Sequence, residues 1–235
     1  MSPPTYGAII DVAHQRGLKV ASHVFYLEDA KALLKSGSDF IAHSIRDNDV
    51  DKETIELLKA KDVCVCPTLT RELSTFVYEN RPAFFQDPFF LREVDPVVIE
   101  ELLDPARQKK VKESKSAQGY KSGLKVAIRN LKTLSTAGVR IAFGTDTGPA
   151  GRFQGYFEHI EIEMMSEAGL TPMQIIKAAT SDAARCWEKH EELGSIQPGK
   201  WADLIVLSKN PLDDIKNIRE IESVWIAGNR IPRTR

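Results

Sequence analysis

The sequence predicts an α/β fold in which short parallel strands and amphipathic helices alternate as part of a barrel, followed by a small β unit. Three observations predict it. Apolar runs alternate with segments of helical period at intervals of about twenty residues, the rhythm of βαβ units. Three runs end in metal-ligating residue types: Val20-Ala21-Ser22-His23, Phe40-Ile41-Ala42-His43, and Ile141-Ala142-Phe143-Gly144-Thr145-Asp146. From Leu193 onward helical spacing gives way to short strands and tight turns.

Taken in order, Tyr6 to Gln15 reads as a helix stopped at Gly17, and Leu18 to His23 as a strand. Leu27 to Lys35 places Ala30, Leu33 and Leu34 on one helical face, with Gly37 as the C′ residue. Asp39 to His43 is the second strand. Asp51 caps a helix running to Lys61, and Val63 to Pro67 is the third strand. The rhythm then breaks from about 68 to 122. That stretch holds Phe76, Tyr78, Phe84, Phe85, Phe89 and Phe90, too aromatic for a disordered linker, so it reads as helices folded over the barrel mouth. Leu124 to Ala137 restores helical spacing, and Val139 to Gly144 is the fourth strand. A helix in Gly155 to Ala168 follows, and Thr171-Pro172-Met173-Gln174 opens the next with a capping box and proline at the first helical position. Asp203 to Leu207 and Ile221 to Ile226 are the tail strands. The division is a barrel part at 1–190 and a β part at 191–235.

Net charge is −1, so no long-range field favours nucleic acid or an anionic membrane, and no apolar run reaches the roughly 18 residues a membrane helix needs. The basic run from Arg107 through Lys115 is interrupted by Glu113 and reads as a solvated helix face. Met-Ser-Pro-Pro-Thr-Tyr has no signal-peptide pattern, which makes the expectation cytoplasmic unless a leader preceded it. Cys64, Cys66 and Cys186 are odd in number in a chain large enough to do without disulfides, and are expected to be reduced.

Side chains at the carboxyl ends of parallel barrel strands point into the mouth, where such enzymes build their sites. A histidine at one strand end is unremarkable. Two on successive strands with an aspartate on a third suit a divalent metal, zinc first and manganese or iron next. His23, His43 and Asp146 are therefore the candidate ligands, with His43 and Asp146 also the candidate catalytic residues. Asp146 has a competing reading as an Asx-turn residue. Arg71, Tyr78 and Arg81 are candidates to face substrate from the insertion, against a reading as residues of a packed helical excursion. His159, in Glu158-His159-Ile160-Glu161, either helps line the site or lies on a helix face. His14 and His190 fall on expected helices and read as structural.

Read as an ordered set, these segments resemble the C-terminal part of the metal-dependent amidohydrolase superfamily, in its imidazolonepropionase-like and Xaa-Pro dipeptidase-like branch. The resemblance runs through Ala13-His14-Gln15-Arg16-Gly17, the two strands ending at His23 and His43, Gly144-Thr145-Asp146, and Ala168-Gly169-Leu170-Thr171-Pro172. It continues in Lys177-Ala178-Ala179-Thr180, the stretch from Leu193 to Leu204, and Val224-Trp225-Ile226-Ala227-Gly228. It implies a (β/α)8 barrel with metal in its mouth and a small β-sandwich, with this chain contributing strands five to eight and part of the sandwich. By position His23 resembles the fifth-strand ligand, His43 the sixth-strand histidine and Asp146 the eighth-strand aspartate. The family's His-x-His pair and carboxylated lysine lie on earlier strands and have no counterpart here.

The activity implied is hydrolysis of C–N bonds in amides, cyclic amides or dipeptides, a small-molecule reaction. Phosphotriesterase, lactonase or deaminase chemistry would use the same ligands, and a non-catalytic scaffold that keeps the fold is the alternative from another class. Four βα units leave two open edges, so the chain is expected to self-associate or to need its missing N-terminal half.

Overall fold

The computed structural model describes residues 1–232, so residues 233–235 of the expected β part lie outside the described residues. Helix α1 (Pro3–Gln15) starts with prolines in its first turn, where a missing N–H costs nothing, and Gly17 follows it in the left-handed region. Strand β1 (Ala21–His23), α2 (Leu27–Lys35), β2 (Phe40–Ala42), α3 (Lys52–Ala60) and β3 (Cys64–Cys66) follow in strict alternation. Asp51 caps α3 by accepting a bond from the Thr54 N–H, as the sequence predicts.

The three strands form one parallel sheet in the order β1-β2-β3. The expected fourth strand is reduced to a single parallel bridge between Val65 and Ile141, with the Val65 N–H donating to the Arg140 carbonyl and the Ala142 N–H to the Val65 carbonyl. Beyond it the Phe143 N–H donates to the carbonyl of Ala178, so the chain leaves the ladder almost at once.

The insertion is helical: α4 (Leu69–Ser74), α5 (Pro88–Leu91), α6 (Pro96–Leu102) and α7 (Pro105–Glu113), joined by short 3-10 turns. Asp87, Asp95 and Asp104 each cap the helix that begins with the next proline. The long α8 (Lys115–Thr136) starts nine residues before the apolar spacing does, because its first turns are polar and are capped by Ser114. Then come α9 (Phe157–Glu167), α10 (Pro172–Ala179), with the expected capping box on Thr171 and Gln174, and α11 (Ser181–Cys186). An antiparallel sheet, β4 (Leu204–Leu207), β5 (Ile221–Ile226) and β6 (Asn229–Arg230), ends the described chain.

Alternation along the parallel strands sorts the core into two faces. Ile41, Val65 and Ile141 pack with Leu34, Leu58, Leu131 and Ile175 from the helices. Phe40, Cys64, Cys66 and Ala142 line the opposite face. That second face corrects the reading of the cysteines: Cys64 and Cys186 are joined in a disulfide, their Cα atoms 5.9 Å apart, and Cys66 alone is free. An odd count excludes full pairing but not one bond. Residue 186, far along the chain, is folded back under the foot of β3, where Trp187 stacks on Phe40 at 5.0 Å. His190 also departs from its expected helix and sits in a turn.

A second core belongs to the insertion. Tyr78, Phe85, Phe90, Leu102, Tyr156 and Phe157 are buried together, with Phe84, Phe89 and Phe153 packed around them. Edge-to-face pairs such as Phe84–Phe85 at 5.1 Å and Phe90–Phe153 at 4.8 Å are arrangements aromatic quadrupoles favour. This core fixes the insertion to the loop that follows Asp146.

Candidate active site at the strand ends

Three residues just past consecutive strands adopt left-handed backbone conformations that side chains other than glycine rarely take: His43 (φ 75°), Thr68 (φ 46°) and Asp146 (φ 56°). Such residues cluster at sites whose surroundings hold them there. Each ends a strand by turning the chain, so its side chain stands at the sheet's carboxyl edge.

His23 Nδ1 and His43 Nε2 are 2.7 Å apart, one donating to the other. The second nitrogen of His43 shares a 2.7 Å hydrogen bond with the Thr68 hydroxyl, which fixes the ring. Phe25 stacks on that ring at 5.5 Å, nearly parallel to it. His43 is buried and titrates at about 4, because burial, then the Arg71 guanidinium and His23, disfavour its charged form. It is neutral at pH 7, the state a metal ligand or a base requires. His23 is exposed on the unpaired edge of the sheet.

The backbone that follows Thr68 is held from behind. The fully buried Glu161 of α9 accepts from the backbone N–H groups of Leu69 and Thr70 at 2.8 and 2.7 Å, and from the Thr70 hydroxyl at 2.8 Å. It thereby satisfies the free amides at the start of α4 that Thr68, with no side-chain cap of its own, leaves open. Burial pushes Glu161 up to about 7, opposed by those three donors.

Asp146 is placed by Gly144 and by the loop after it. A Cβ on residue 144 would lie 2.6 Å from the Cys66 sulfur, so only glycine fits there. Glu158 gathers the loop, accepting from Thr145, Thr147 and the Gly155 N–H. The Asp146 carboxylate itself is engaged by arginines: Arg152 Nη1 donates to Oδ2 at 2.8 Å, and Arg71 Nε is 3.6 Å from the same oxygen.

Of the substrate candidates, Arg71 is at the site, Arg81 is exposed, and Tyr78 and His159 are elsewhere. Tyr78 is buried in the aromatic core and donates to the Gly151 carbonyl, steadying the loop that carries Arg152. Its hydroxyl is pushed up in pKa by burial. His159 packs edge-on against Phe89 at 5.1 Å, its titration lowered to about 4 by burial and by Arg219. Sequence reading missed Phe25, Thr68, Glu161 and Arg152. Only Arg152, in the glycine-rich stretch after Asp146, had any signal.

Two converging imidazoles, one held neutral, fit a divalent metal in donor type. Among the described residues, no group of three His, Cys, Asp or Glu side chains is close enough to hold a metal, because Asp146 faces the arginines.

The fold and this edge together define an α/β protein whose polar residues gather at the carboxyl ends of parallel strands. The chain belongs to the Amidohydrolase family, which matches residues 1–231, and that family is generally metal-dependent. Among curated relatives, the ochratoxinase of Aspergillus niger is 30% identical over 232 residues, covering 97% of this chain and 41% of the relative. The adenine deaminase of Clostridium botulinum strain Loch Maree is 35% identical over 79 residues, 34% of this chain and 12% of that one. A solved Xaa-Pro dipeptidase with methionine in its active site superposes with a TM-score of 0.72 at 24% identity, over 98% of this chain and 49% of that one, a likeness of fold. The chain spans less than half the length of these relatives.

Proposed function

We propose that the chain carries the strand-five-to-eight side of a metal-dependent hydrolase of C–N bonds in amides, cyclic amides or dipeptides. The observation that carries this reading is the set of three left-handed strand-end residues, His43, Thr68 and Asp146, with His23 hydrogen-bonded to the first. The relatives' names, an ochratoxinase, a deaminase and a dipeptidase, support a hydrolytic site of this kind.

His23 and His43 would hold a divalent metal, zinc first, and Asp146 would join them only by turning from the arginines that engage it in this structure. When bound, the metal supplies Lewis acidity at the scissile carbonyl and acidifies a water. Asp146 then takes a proton from the attacking water and delivers it to the leaving nitrogen, a shuttle that its exposed carboxylate can serve. The neutral His43, its ring locked by Thr68 and Phe25, orients the water and the carbonyl oxygen. His23, exposed on the open edge, awaits partners from strands beyond that edge, supplied by an N-terminal half or a second copy.

The test is hydrolysis of simple amides and dipeptides by the zinc- or manganese-loaded chain beside Asp146→Asn. Turnover lowered at least a hundredfold in the variant is expected. Turnover unchanged by the substitution would sink the assignment of Asp146.

A further inference from the structure

We propose that two copies of this chain pair through the outer surface of the insertion, the acidic stretch around α6 of each copy lying against the basic α7 of the other. This pairing is independent of the hydrolase reading. From 93 to 104 the chain carries five acids, Glu93, Asp95, Glu100, Glu101 and Asp104, and no base. From 105 to 115 it carries five bases, Arg107, Lys109, Lys110, Lys112 and Lys115, and one acid, Glu113. All of these side chains are exposed.

Neither pole is neutralised inside the chain. Among the described residues the one ion pair that either stretch makes is Lys109 with Glu113, 3.9 Å apart on the surface. Asp95 and Asp104 cap their helices through one oxygen each, from the Val97 and Arg107 N–H groups, and no cation faces either carboxylate. Helix α7 buries no side chain, and α6 buries only Leu102. The charges on the two helices also work against their own local structure. Arg107 and Lys110, like Lys109 and Lys112, are three apart on α7, where neighbouring like charges repel. Glu100 and Glu101 fall in the last turn of α6, the negative end of its dipole. An opposite charge set against each pole relieves both.

A nucleic acid or an anionic membrane would suit the basic pole but would be repelled by the acidic pole beside it. A second copy answers both at once, because a two-fold axis that sets α6 against the partner's α7 also sets α7 against the partner's α6. Leu91 and Val97, in the same stretch, are exposed as well, apolar area of the kind that the centre of a polar-rimmed interface buries.

The test is sedimentation of the full chain at about 0.02 M and about 0.5 M salt. It compares the parent, Glu100→Lys with Glu101→Lys, Lys109→Glu with Lys110→Glu, and an equimolar mixture of the two double variants. The parent is expected to dimerise and to lose about tenfold or more in affinity at the higher salt. Each double variant is expected to pair about tenfold or more weakly than the parent. The mixture is expected to associate more tightly than either variant alone, since it keeps one of the two acid-on-base contacts intact. Should either double variant melt below the parent, Glu101→Lys and Lys110→Glu alone are expected to show the same pattern in weaker form. Repeating the series in Val12→Lys counts apart any association through the apolar surface of α1, which added salt does not screen. A monomeric parent, association indifferent to salt, variants that pair like the parent, or a mixture no tighter than its components would each overturn the pairing. Salt-sensitive binding of a single-stranded oligonucleotide by a monomeric parent would assign the basic pole to a polyanion instead.

Discussion

His43 is bonded to the Thr68 hydroxyl, and Glu161 holds the two residues that follow Thr68, so the site should respond to a change at Glu161. Glu161→Ala leaves the Leu69 and Thr70 amides buried without acceptors and is expected to cost about 1–3 kcal/mol in denaturant unfolding. It should also shift the ring signals of His43; unchanged signals would mean that Thr68 holds the ring unaided. The histidines contribute to the pH dependence with a definite sign. His43 and His159 titrate at about 4 when folded, below the 6.5 usual for histidine, so between those values the unfolded chain binds protons that the folded chain does not. Their contribution to stability is expected to fall as pH drops from 6.5 towards 4, against an opposite contribution from Glu161, which is raised to about 7. His159→Phe should remove one part of the histidine contribution, so that urea titrations at stepped pH show less loss of stability towards pH 4 than in the parent. At this scale the strand-end positions of His23, His43 and Asp146 were legible, since each follows a readable apolar run. The residues that hold them were not: Glu161 lies 91 positions from Thr70, and nothing local in the sequence links the two.

Among the elements, helices with capping residues were read closely: Leu27 to Lys35, the helix after Asp51, and the Thr171 box stand where their end signals put them. The strands were read longer than they are. An apolar run marks burial, whereas a ladder needs a neighbour, and Val139 to Gly144 finds one only at Val65. The disulfide was misread for the reason that governs all distant pairs, because spacing along the chain says nothing about Cys186 folding under β3. It closes 122 residues, so its reduction, or Cys186→Ala, is expected to lower stability by about 2–5 kcal/mol. A melting temperature indifferent to dithiothreitol would contradict this. Structural disulfides persist chiefly in oxidising compartments, which sets this bond against the cytoplasmic expectation.

Over the whole molecule, the apolar surface is laid out as if more protein belonged against it. Ile9 and Val12 on α1 and Leu18 just after it are exposed, as are Ile205 and Ile226 on the tail sheet and Trp201 just before it. Single exposed apolar residues are ordinary, but groups on two faces mark surfaces for association. The chain is expected to self-associate in light scattering, and a charged substitution such as Val12→Lys should weaken that association; a monomer at high concentration would argue against it. The described helices include none long and apolar enough to cross a membrane. The most direct test of the central claim, that His23, His43 and Asp146 hold a divalent metal, is zinc uptake measured by elemental analysis after loading and desalting, beside the triple alanine variant. About one zinc per chain, lost in the variant, is the predicted result. Equal zinc in both proteins, or none in either, would contradict it.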